Sequence, residues 1–379
     1  MPNKTRIKIK PSFEDLSYPV IIGQDLDQQI GEFIRATTSL KTKIVLVSDK
    51  NCSTLFAKAL KQTIENDGFC VHLVEIDPGE QSKSFAVLER VIEKILSFEV
   101  ERNSPIIAIG GGVVGDLAGL VCALVLRGLR LIQVPTSLLA QIDSSIGGKT
   151  AINSKFGKNL IGSFYHPEMV FMNTDTLSSL SVRQLKAGYA EAVKYGLIDD
   201  ADFFEWLEKN YTFVLKHDPV ALNFLIKKCV EAKARIVSED SSEKGRRALL
   251  NLGHSFAHAL EGANHYQQNL LHGEAVAVGL VLAFQLSYEL NLCPQNDLKR
   301  VKSHLKKVGL ATSIEMVGDY HADDLLQWMK RDKKVRDGKM TLILTRGIGQ
   351  SFIAPDQVDE TRLYRFLQQS CNIHSKKFK

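Results

Sequence analysis

The sequence predicts an α/β protein in which a parallel sheet covered by helices precedes a mostly α-helical half. Short runs rich in Val and Ile alternate with amphipathic stretches up to about residue 173, and beyond Thr176 the apolar periodicity is nearly all helical. Alternating strands and helices at this spacing are typical of a parallel sheet with helices on both faces. We therefore predict two domains, residues 1–176 and residues 177–379.

The predicted strands of the first half follow one another in regular order. Two N-terminal runs form a predicted strand pair, "RIKIK" and "YPVIIG", and the remaining strands are "KIVLVSD", "CVHLVEID", "SPIIAIGGG", "RLIQVP" and, as the last, "EMVFMN". Helical stretches separate them, namely "CSTLFAKALKQTIENDG", "KSFAVLERVIEKILSFEV" and a third after the glycines.

The second half carries helical periodicity in six stretches and a single late strand candidate. The helices are "SVRQLKAGYAEAVKYGLI", "ADFFEWLEKN", "PVALNFLIKKCVEAKARIVSED", "RALLNLGHSFAHALEG", "HGEAVAVGLVLAFQLSYELN" and "QNDLKRVKSHLKKVG", and the strand candidate is "KMTLILTRGIG". A cleft between two such halves is a favoured place for a ligand.

Composition excludes several classes of protein. The 379 residues carry 48 basic and 43 acidic side chains, a net charge of +5 that is too small and scattered to indicate nucleic-acid binding. The six cysteines form no CxxC pair, which argues against a disulfide framework or a thiolate zinc site. The longest apolar run, "LAGLVCALVL", is about half the length of a membrane span, and the start lacks a signal-peptide pattern. We expect a cytoplasmic protein without membrane contact.

A glycine-rich segment, "IIAIGGGVVGDLAG", fits the pattern G-x-G-x-x-G through Gly110, Gly112 and Gly115. It follows a predicted strand and opens a helix, where backbone N–H groups can approach a diphosphate. The next strand ends in "QVPTS" without the acid that the usual dinucleotide fold requires. The segment is therefore either a tight turn or a nucleotide site of another arrangement, in which Asp49 could contact the ribose.

Two further segments are rich in groups that bind phosphate. One is "PGEQSK" at residues 78–83, and the other is "DSSIGGKTAINSKFGKNLIG", in which Lys149, Lys158 and Asn159 supply cationic and polar donors. A solvated loop is the alternative interpretation of each lysine taken alone.

Four histidines, His254, His258, His265 and His272, lie in a stretch that is otherwise apolar. The four-residue spacing of His254 and His258 places them on one helical face and nominates them as metal ligands; Glu191, Glu261 and Glu274 are candidate carboxylates. No HExxH motif is present, which disfavours a zinc protease. A histidine and carboxylate set without thiolates suggests a catalytic divalent metal, while hydrogen-bonded core histidines are the alternative.

Seven blocks of this chain, taken in order, resemble the 3-dehydroquinate synthase family of the sugar phosphate cyclase superfamily over roughly residues 16–350. The blocks are "PGEQSK", "GGGVVGD", "QVPTSLLAQIDSSIGGKTAINSKFGKNLIGSFYHP", "AGYAEAVKYGLI", "EDSSEKGRRALLNLGHSFAHALE", "LHGEAVAVG" and "RDKKVRDGK". No single block would be specific, but their order and number are.

The resemblance implies a Rossmann-like N-terminal domain, an α-helical C-terminal domain, one NAD, one divalent metal that is zinc or cobalt, and a homodimer. It also implies a reaction of the shikimate pathway, in which 3-deoxy-D-arabino-heptulosonate 7-phosphate becomes 3-dehydroquinate and phosphate. The steps are transient oxidation by NAD, elimination of phosphate, re-reduction and intramolecular aldol closure.

The resemblance also assigns site residues by position. It names Glu191, His254 and His272 as the metal ligands, in place of the pair suggested by spacing, and puts His258 beside the substrate. The other substrate-contacting positions are Arg127, Asp143, Lys149, Asn159, Lys194, Lys233, Glu243, Arg247, Asn251 and Lys334, with Lys333 as the alternative to Lys334. The cofactor-contacting positions are Asp49, Pro78, Gly79, Glu80, Gln81, Ser82, Lys83, Gly112, Val113, Val114, Gly115, Asp116, Thr136, Ser137, Lys149, Lys158, Thr176, Leu177, Ser178 and Ser179.

The chain departs from the family pattern at a few positions. Ser137 stands for a threonine and keeps the hydroxyl, Tyr189 is bulkier than usual, and Asn173 and Ser181 stand where Asp and Pro are common. Three rival functions remain: another sugar phosphate cyclase, a metal-dependent polyol dehydrogenase of the same superfamily, and a catalytically inactive binding protein.

Overall fold

The computed structural model describes residues 16–240, 245–265, 269–331, 335–336, 339–354 and 358–371. A parallel six-stranded sheet occupies the N-terminal part, and a mostly helical part follows it. The predicted fold class is therefore confirmed. In the described part of the chain, no helix is both long enough and apolar enough to cross a bilayer.

The strands belong to one large sheet and several two-stranded pairs. Their bounds are β1 (Val20–Gly23), β2 (Ile44–Asp49), β3 (Val71–Ile76), β4 (Pro105–Gly110), β5 (Arg130–Pro135), β6 (Lys149–Ser154), β7 (Gly157–Phe164), β8 (Met169–Asn173), β9 (Val335–Arg336), β10 (Lys339–Met340), β11 (Leu342–Thr345) and β12 (Ser351–Ala354). The six-stranded sheet has the order β1-β8-β5-β4-β2-β3 with parallel neighbours throughout. The pairs β6–β7, β9–β10 and β11–β12 are antiparallel.

The α-helices cover both faces of the sheet and then build the second half. Their bounds are α1 (Asp27–Thr37), α2 (Lys50–Cys52), α3 (Lys58–Asn66), α4 (Phe85–Leu96), α5 (Gly112–Leu124), α6 (Val182–Asp199), α7 (Ala201–Leu215), α8 (Pro219–Glu239), α9 (His254–Ala263), α10 (His272–Glu289), α11 (Gln295–Val308), α12 (Ala322–Arg331) and α13 (Glu360–Cys371). Two π-helical turns matter below, Ser53–Ala57 between α2 and α3, and Ala140–Ser144 after β5.

Most of the predicted strands exist as predicted. The runs from "KIVLVSD" to "RLIQVP" form β2 to β5, and "EMVFMN" forms β8. "YPVIIG" contains β1, which pairs in parallel with β8; its predicted partner, "RIKIK", lies outside the described residues. Continuous Val and Ile runs identify such strands because both faces of the sheet are covered.

The structure differs from the sequence prediction in the segment after Asp143. Residues predicted as polar loop form the hairpin β6–β7, which packs on α5 through buried Ile152 and Thr150. A two-stranded ribbon with one face in solvent is largely polar, so its composition does not distinguish it from a loop. Farther on, the predicted helix "RALLNLGHSFAHALEG" is split, because Arg246–Asn251 is a 3-10 helix and Gly253 has φ of +77°.

Helix starts follow the capping residues of the sequence. Ser181 caps α6 and forms a capping box with Gln184, while Asp218 caps α8 with Pro219 in its first turn. Asn173 caps the 3-10 turn Thr174–Ser179 that follows β8. Two departures from the family pattern, Asn173 and Ser181, thus serve as caps in this chain.

The sheet topology fixes where a ligand would bind. From β2 the chain first adds β3 on one side and then β4 on the other, so the strand order reverses between β2 and β4. In open parallel sheets, ligands bind beyond the carboxyl ends of the strands at such a point. The apolar core of the helical half also includes Val170 and Met172 of β8 and Leu138 and Ile142 after β5, so the two halves share packing.

Candidate active site

Three segments that are distant in sequence bring a carboxylate and two imidazoles together. Glu191 lies in α6, and His254 and His272 are the first residues of α9 and α10. Glu191 Oε1 lies 3.3 Å from His254 Nε2 and 3.2 Å from His272 Nε2. One potential ligand atom from each residue lies within 4.8 Å of the others. The structure thus assembles the set named by the family resemblance.

The hydrogen bonds of the two imidazoles fit them to hold a cation. His254 Nδ1 lies 3.1 Å from the Leu252 carbonyl oxygen, and His272 Nδ1 lies 3.2 Å from Glu261 Oε2. Each Nδ1–H donates to an oxygen, which directs the Nε2 lone pair to the shared point, as in carboxylate–histidine–metal arrangements. Both carboxylate oxygens of Glu191 are buried acceptors: Oε1 faces the two imidazoles, and Oε2 lies 2.7 Å from the ammonium group of Lys194. Such acceptors are costly unless a cation compensates them.

The two imidazoles differ in their pKa. Burial lowers the pKa of His254 to about 4, although Glu191 opposes that shift, so this ring is neutral at physiological pH. Burial also disfavours the charged form of His272, but the Glu261 and Glu191 carboxylates outweigh it and raise its pKa to about 10. A divalent metal would therefore displace one proton from His272, as is usual for imidazole ligands.

Glycines allow the three helices to approach closely enough for these contacts. Gly273, which directly follows His272, lies so near α6 that a Cβ on it would be 1.9 Å from the Ala187 carbonyl oxygen. A Cβ on Gly279 of α10 would lie 2.2 Å from the carbonyl oxygen of Gly253, the residue that precedes His254. The backbone of α10 is thus in direct contact with α6 and with the residue that precedes α9, beside the ligands.

A second cluster of buried charges adjoins Glu191. Lys194, which is 1% exposed, lies 2.7 Å from Glu191 Oε2 and 3.5 Å from Asp143 Oδ2. Lys233 donates to the Asp143 carboxylate and, at 2.6 Å, to its backbone carbonyl. Burial opposes ionisation of Asp143, but the two ammonium groups hold its pKa well below the usual range. Burial likewise opposes the charge on Lys194, yet Asp143 and Glu191 raise its pKa.

The glycine-rich segment forms the turn between β4 and α5 at the reversal of strand order. Thr136 N donates to the Gly110 carbonyl oxygen at 2.9 Å, and a Cβ on Gly115 would lie 2.7 Å from Gln133 Oε1. The N-cap residue of α5 is Gly111, which has no side chain with which to cap the helix. Its backbone N–H groups are therefore suited to an anion.

The segment at residues 78–83 lies against both the glycine turn and the hairpin. Lys83 Nζ lies 2.5 Å from Asp116 Oδ2 and also donates to the Asn159 side chain. Glu80 accepts from Asn153 Nδ2 at 2.8 Å. These contacts bring together the three segments that the sequence predicted to bind phosphate, namely the glycine turn, residues 78–83 and the hairpin β6–β7.

Asp49, proposed for ribose binding, is at the carboxyl end of β2 as expected. Its Oδ1 accepts from Asn51 N at 2.9 Å and from Cys52 N at 3.1 Å, so this oxygen caps the start of α2. In the 3-10 turn after β8, the Thr176 hydroxyl donates to the Asn173 carbonyl oxygen at 2.7 Å. The Ser137 hydroxyl accepts from Ala140 N at 3.3 Å.

The remaining residues predicted to contact the substrate differ in how far they are buried. Arg247 is buried and donates to the Gly147 carbonyl oxygen at 2.9 Å. Arg127 is exposed and has φ of +64°, and Lys149 is the exposed first residue of β6. Asn251 Nδ2 donates to the Ala248 carbonyl oxygen at 3.2 Å. Glu243, Lys333 and Lys334 lie outside the described residues.

The structure separates the candidates that spacing alone had grouped. The His258 ring centroid is 5.4 Å from that of His254 and 6.2 Å from that of His272, but His258 is not in the three-ligand group. Glu274 pairs instead with Arg183 at 2.6 Å. His258 therefore adjoins the candidate metal site without belonging to it.

Two further residues contribute to the site: Glu261, one of the three candidate carboxylates, and Tyr195, which the sequence analysis did not name. Glu261, which is 3% exposed, contacts His272 and also accepts from Lys158 Nζ at 2.9 Å. The Tyr195 hydroxyl donates to Asp143 Oδ1 at 3.3 Å. Glu261 follows His254 by seven positions, which places both residues on one face of α9.

Comparisons with known proteins identify the family of this chain. The family model for the 3-dehydroquinate synthase N-terminal region matches residues 73–187, and the model for the C-terminal region matches residues 188–335. The chain is 47% identical to the 3-dehydroquinate synthase of Rhizobium johnstonii over 356 residues, covering 93% of this chain and 94% of the relative. It is 46% identical to that of Caulobacter vibrioides over 353 residues, covering 93% and 95%.

Solved structures with the same fold include relatives with bound cofactors. A 2-deoxy-scyllo-inosose synthase complexed with carbaglucose-6-phosphate, NAD⁺ and Co²⁺ matches with a TM-score of 0.84 at 28% identity, covering 93% of this chain and 97% of that one. The 2-epi-5-epi-valiolone synthase of Streptomyces hygroscopicus, with NAD⁺ and Zn²⁺ bound, has a TM-score of 0.86 at 27% identity, covering 95% and 98%. Together, the sequence matches and the assembled site show that this chain belongs to the 3-dehydroquinate synthase family.

Proposed function

We propose that this protein converts 3-deoxy-D-arabino-heptulosonate 7-phosphate into 3-dehydroquinate and inorganic phosphate, as an NAD- and metal-dependent lyase of the shikimate pathway. The observation that carries the proposal is the convergence of Glu191, His254 and His272 beside the buried ammonium of Lys194. The site lies in a chain that matches curated 3-dehydroquinate synthases over more than nine-tenths of its length.

Glu191, His254 and His272 would hold one zinc or cobalt ion. A carboxylate and two imidazoles leave coordination positions open, so the bound ion can act as a Lewis acid on a substrate hydroxyl. Related cyclases have been solved with NAD⁺ together with Co²⁺ or Zn²⁺, which supports the same pair of cofactors here.

The cationic side chains suit a substrate that carries both a phosphate and a carboxylate. Lys194 has a raised pKa and is held between Asp143 and Glu191, so it retains its charge and serves as an electrostatic anchor rather than as a base. Arg247, buried and bonded to the Gly147 carbonyl oxygen, presents a fixed guanidinium. Arg127, Lys149, Asn159, Lys233 and Asn251 complete the described part of the proposed substrate-binding set.

His258 is proposed to handle protons next to the substrate. Its ring lies one helical turn from His254 and within 6.2 Å, between centroids, of His272, so it borders the metal-bound part of the substrate. A histidine at this distance can exchange a proton with a substrate oxygen directly or through one water.

The nucleotide is proposed to bind across the reversal of strand order. The α5 N-terminus and the turn Gly112–Asp116 would receive its diphosphate, and residues 78–83, Thr136, Ser137, Lys158 and residues 176–179 would surround the rest. When bound, NAD⁺ supplies a transient hydride acceptor and returns the hydride, which makes the overall reaction redox-neutral. Asp49 remains the candidate for the ribose, through the carboxylate oxygen that does not cap α2.

The assembly expected from the family resemblance is a homodimer. Sedimentation equilibrium of the purified chain tests this part of the proposal, and a monomeric mass at micromolar concentration would contradict it.

The function is tested by incubating the purified protein with the heptulosonate phosphate, Co²⁺ or Zn²⁺, and NAD⁺ in an amount below the substrate. We expect phosphate release over many turnovers without net NADH, and no activity in Glu191→Ala. Stoichiometric NADH would indicate a polyol dehydrogenase instead. Phosphate release from another sugar phosphate, such as glucose 6-phosphate, at a higher kcat/KM would indicate a different cyclase.

A further inference from the structure

Glu261 connects a metal-site histidine to the other half of the molecule. Its carboxylate is 3% exposed, and the two oxygens face in different directions: Oε2 lies 3.2 Å from His272 Nδ1, and Oε1 lies 2.9 Å from Lys158 Nζ. Glu261 and His272 are in the helical half, whereas Lys158 is on strand β7 of the hairpin that packs on α5. A single buried carboxylate is therefore held from both sides.

The hairpin is in turn fixed to the glycine turn. Next to Lys158 on β7, the Asn159 side chain accepts from Lys83, whose Nζ lies 2.5 Å from Asp116 Oδ2 in α5. Lys83 is 4% exposed, so this contact is also shielded from water. The Asn159 backbone N–H donates to Asn153 Oδ1 at 2.9 Å, which keeps Asn159 in this position. The polar contacts thus run from Asp116 of α5 to Asn159 and from Lys158 to His272, and the peptide bond between Lys158 and Asn159 joins the two sets.

We propose that Glu261 is a positioning residue for His272 and that Lys158, through Glu261, couples occupancy of the nucleotide site to occupancy of the metal site. The inference rests on the proposed function, because it takes the glycine turn as the nucleotide site and Glu191, His254 and His272 as the metal ligands. Each ligand then increases the affinity of the other through the residues Asp116, Lys83, Asn159, Lys158, Glu261 and His272.

The coupling is expected to be favourable, because each ligand holds in place residues that the other ligand needs. A nucleotide against α5 and Lys83 holds the hairpin in the position from which Lys158 reaches Glu261. Glu261 then keeps its bond to His272 Nδ1, and the Nε2 lone pair stays directed at the metal. The metal consequently binds to a site that is already ordered, and thermodynamic linkage requires the metal to strengthen nucleotide binding by the same factor.

The coupling is measured on the full chain with two ligands. The Kd for Zn²⁺, from competition with a chromogenic chelator, is determined with and without saturating NAD⁺, and the Kd for NAD⁺ is determined with and without Zn²⁺. We expect the same factor in both directions, of at least about fivefold. Lys158→Met should reduce the factor to about one, and Lys158→Arg should restore much of it, because a guanidinium can also reach Glu261.

Lys155→Met is the matched control. Lys155 is on the same hairpin, is exposed, and lies over the Phe156 ring at 5.1 Å, so its loss should leave the coupling factor at the wild-type value. A second variant, Glu261→Gln, should weaken Zn²⁺ binding about 10- to 100-fold and alter the visible absorption of the Co²⁺-loaded protein, because His272 loses its carboxylate partner.

Two results would overturn the inference while leaving the proposed function intact. One is a wild-type coupling factor of one when both ligands bind, and the other is a Lys158→Met protein with the full wild-type factor. A wild-type protein that bound neither Zn²⁺ nor NAD⁺ would contradict both the inference and the proposed function.

Discussion

The phenol oxygen of Tyr189 lies 3.1 Å from Nε2 of His304, and this buried hydrogen bond joins α6, which carries Glu191, to α11. The Tyr189 hydroxyl donates to the Leu207 carbonyl oxygen at 3.2 Å, so Nε2–H of His304 must be the donor to Tyr189. His304 Nδ1 is then a bare acceptor, buried without a partner in the described part of the chain. The bulky Tyr189 that departs from the family pattern is thus matched by a histidine.

A pH dependence of stability follows from His304. Burial, helped by Lys307, lowers its pKa to about 4, whereas an unfolded histidine titrates near 6.5. The unfolded state therefore binds more protons than the folded state between these values, and the free energy of unfolding falls as pH drops from about 6.5 to about 4. We expect His304 to account for about 2 kcal/mol of the loss between pH 7 and pH 5.

Urea unfolding at the two pH values, followed by circular dichroism, measures this loss. His304→Gln, which can still donate to Tyr189 but does not titrate, should show a pH-dependent loss that is smaller by about that amount. An identical loss in the variant and in the wild type would mean that other groups cause the acid sensitivity.

Removal of a first metal ligand should abolish both metal binding and turnover. His272→Ala takes away an imidazole that lies 3.2 Å from Glu191 Oε1, and a site left with two protein ligands holds a divalent ion weakly. Atomic absorption after gel filtration should find less than about one-tenth of the wild-type metal content. Full metal content in a folded His272→Ala protein would refute the assignment.

The adjacent histidine should behave differently. His258→Ala leaves Glu191, His254 and His272 in place, so the metal content should stay at the wild-type level while kcat falls roughly 10²- to 10⁴-fold, the usual range for loss of a proton-transfer group. Metal analysis and phosphate-release kinetics on the same preparation separate the two effects. Loss of metal from this variant would restore the pair suggested by spacing, His254 and His258.

A glycine in α10 is predicted to be necessary for the ligand geometry. In Gly273→Ala, the new Cβ would lie 1.9 Å from the Ala187 carbonyl oxygen, which is backbone and cannot move aside locally. Separation of α10 from α6 should reduce the free energy of unfolding by about 1–3 kcal/mol and weaken Zn²⁺ binding, because His272 moves away from Glu191.

Gly31→Ala provides a comparison on another helix, since a Cβ there would come no closer than 3.4 Å to Asp67 Oδ2. It should leave the Zn²⁺ affinity unchanged and should not reduce the free energy of unfolding, because Ala favours a helix over Gly by up to about 1 kcal/mol. A Gly273→Ala protein with wild-type stability and Zn²⁺ affinity would show that the helix contact is not required.

Much of the fold was predictable because its parallel sheet is covered on both faces. Buried strands such as Ile44–Asp49 and Pro105–Gly110 read as continuous apolar runs, and the intervening helices carry their own periodicity. The hairpin β6–β7 was missed because its residues are polar and partly exposed, and its position depends on packing against α5 and on the bond between Asn159 and Lys83.

The sequence by itself determined the order of strands and helices, the glycine turn, and the kinds of side chain available for a metal and a phosphorylated acid. Its local spacing favoured His254 with His258, and only the family resemblance named His272. Tertiary structure decided which imidazoles meet Glu191, because that depends on three helices coming into backbone contact at Gly253, Gly273 and Gly279. Periodicity within one helix reports which residues share a face, but it contains no information about the distance to a face of another helix.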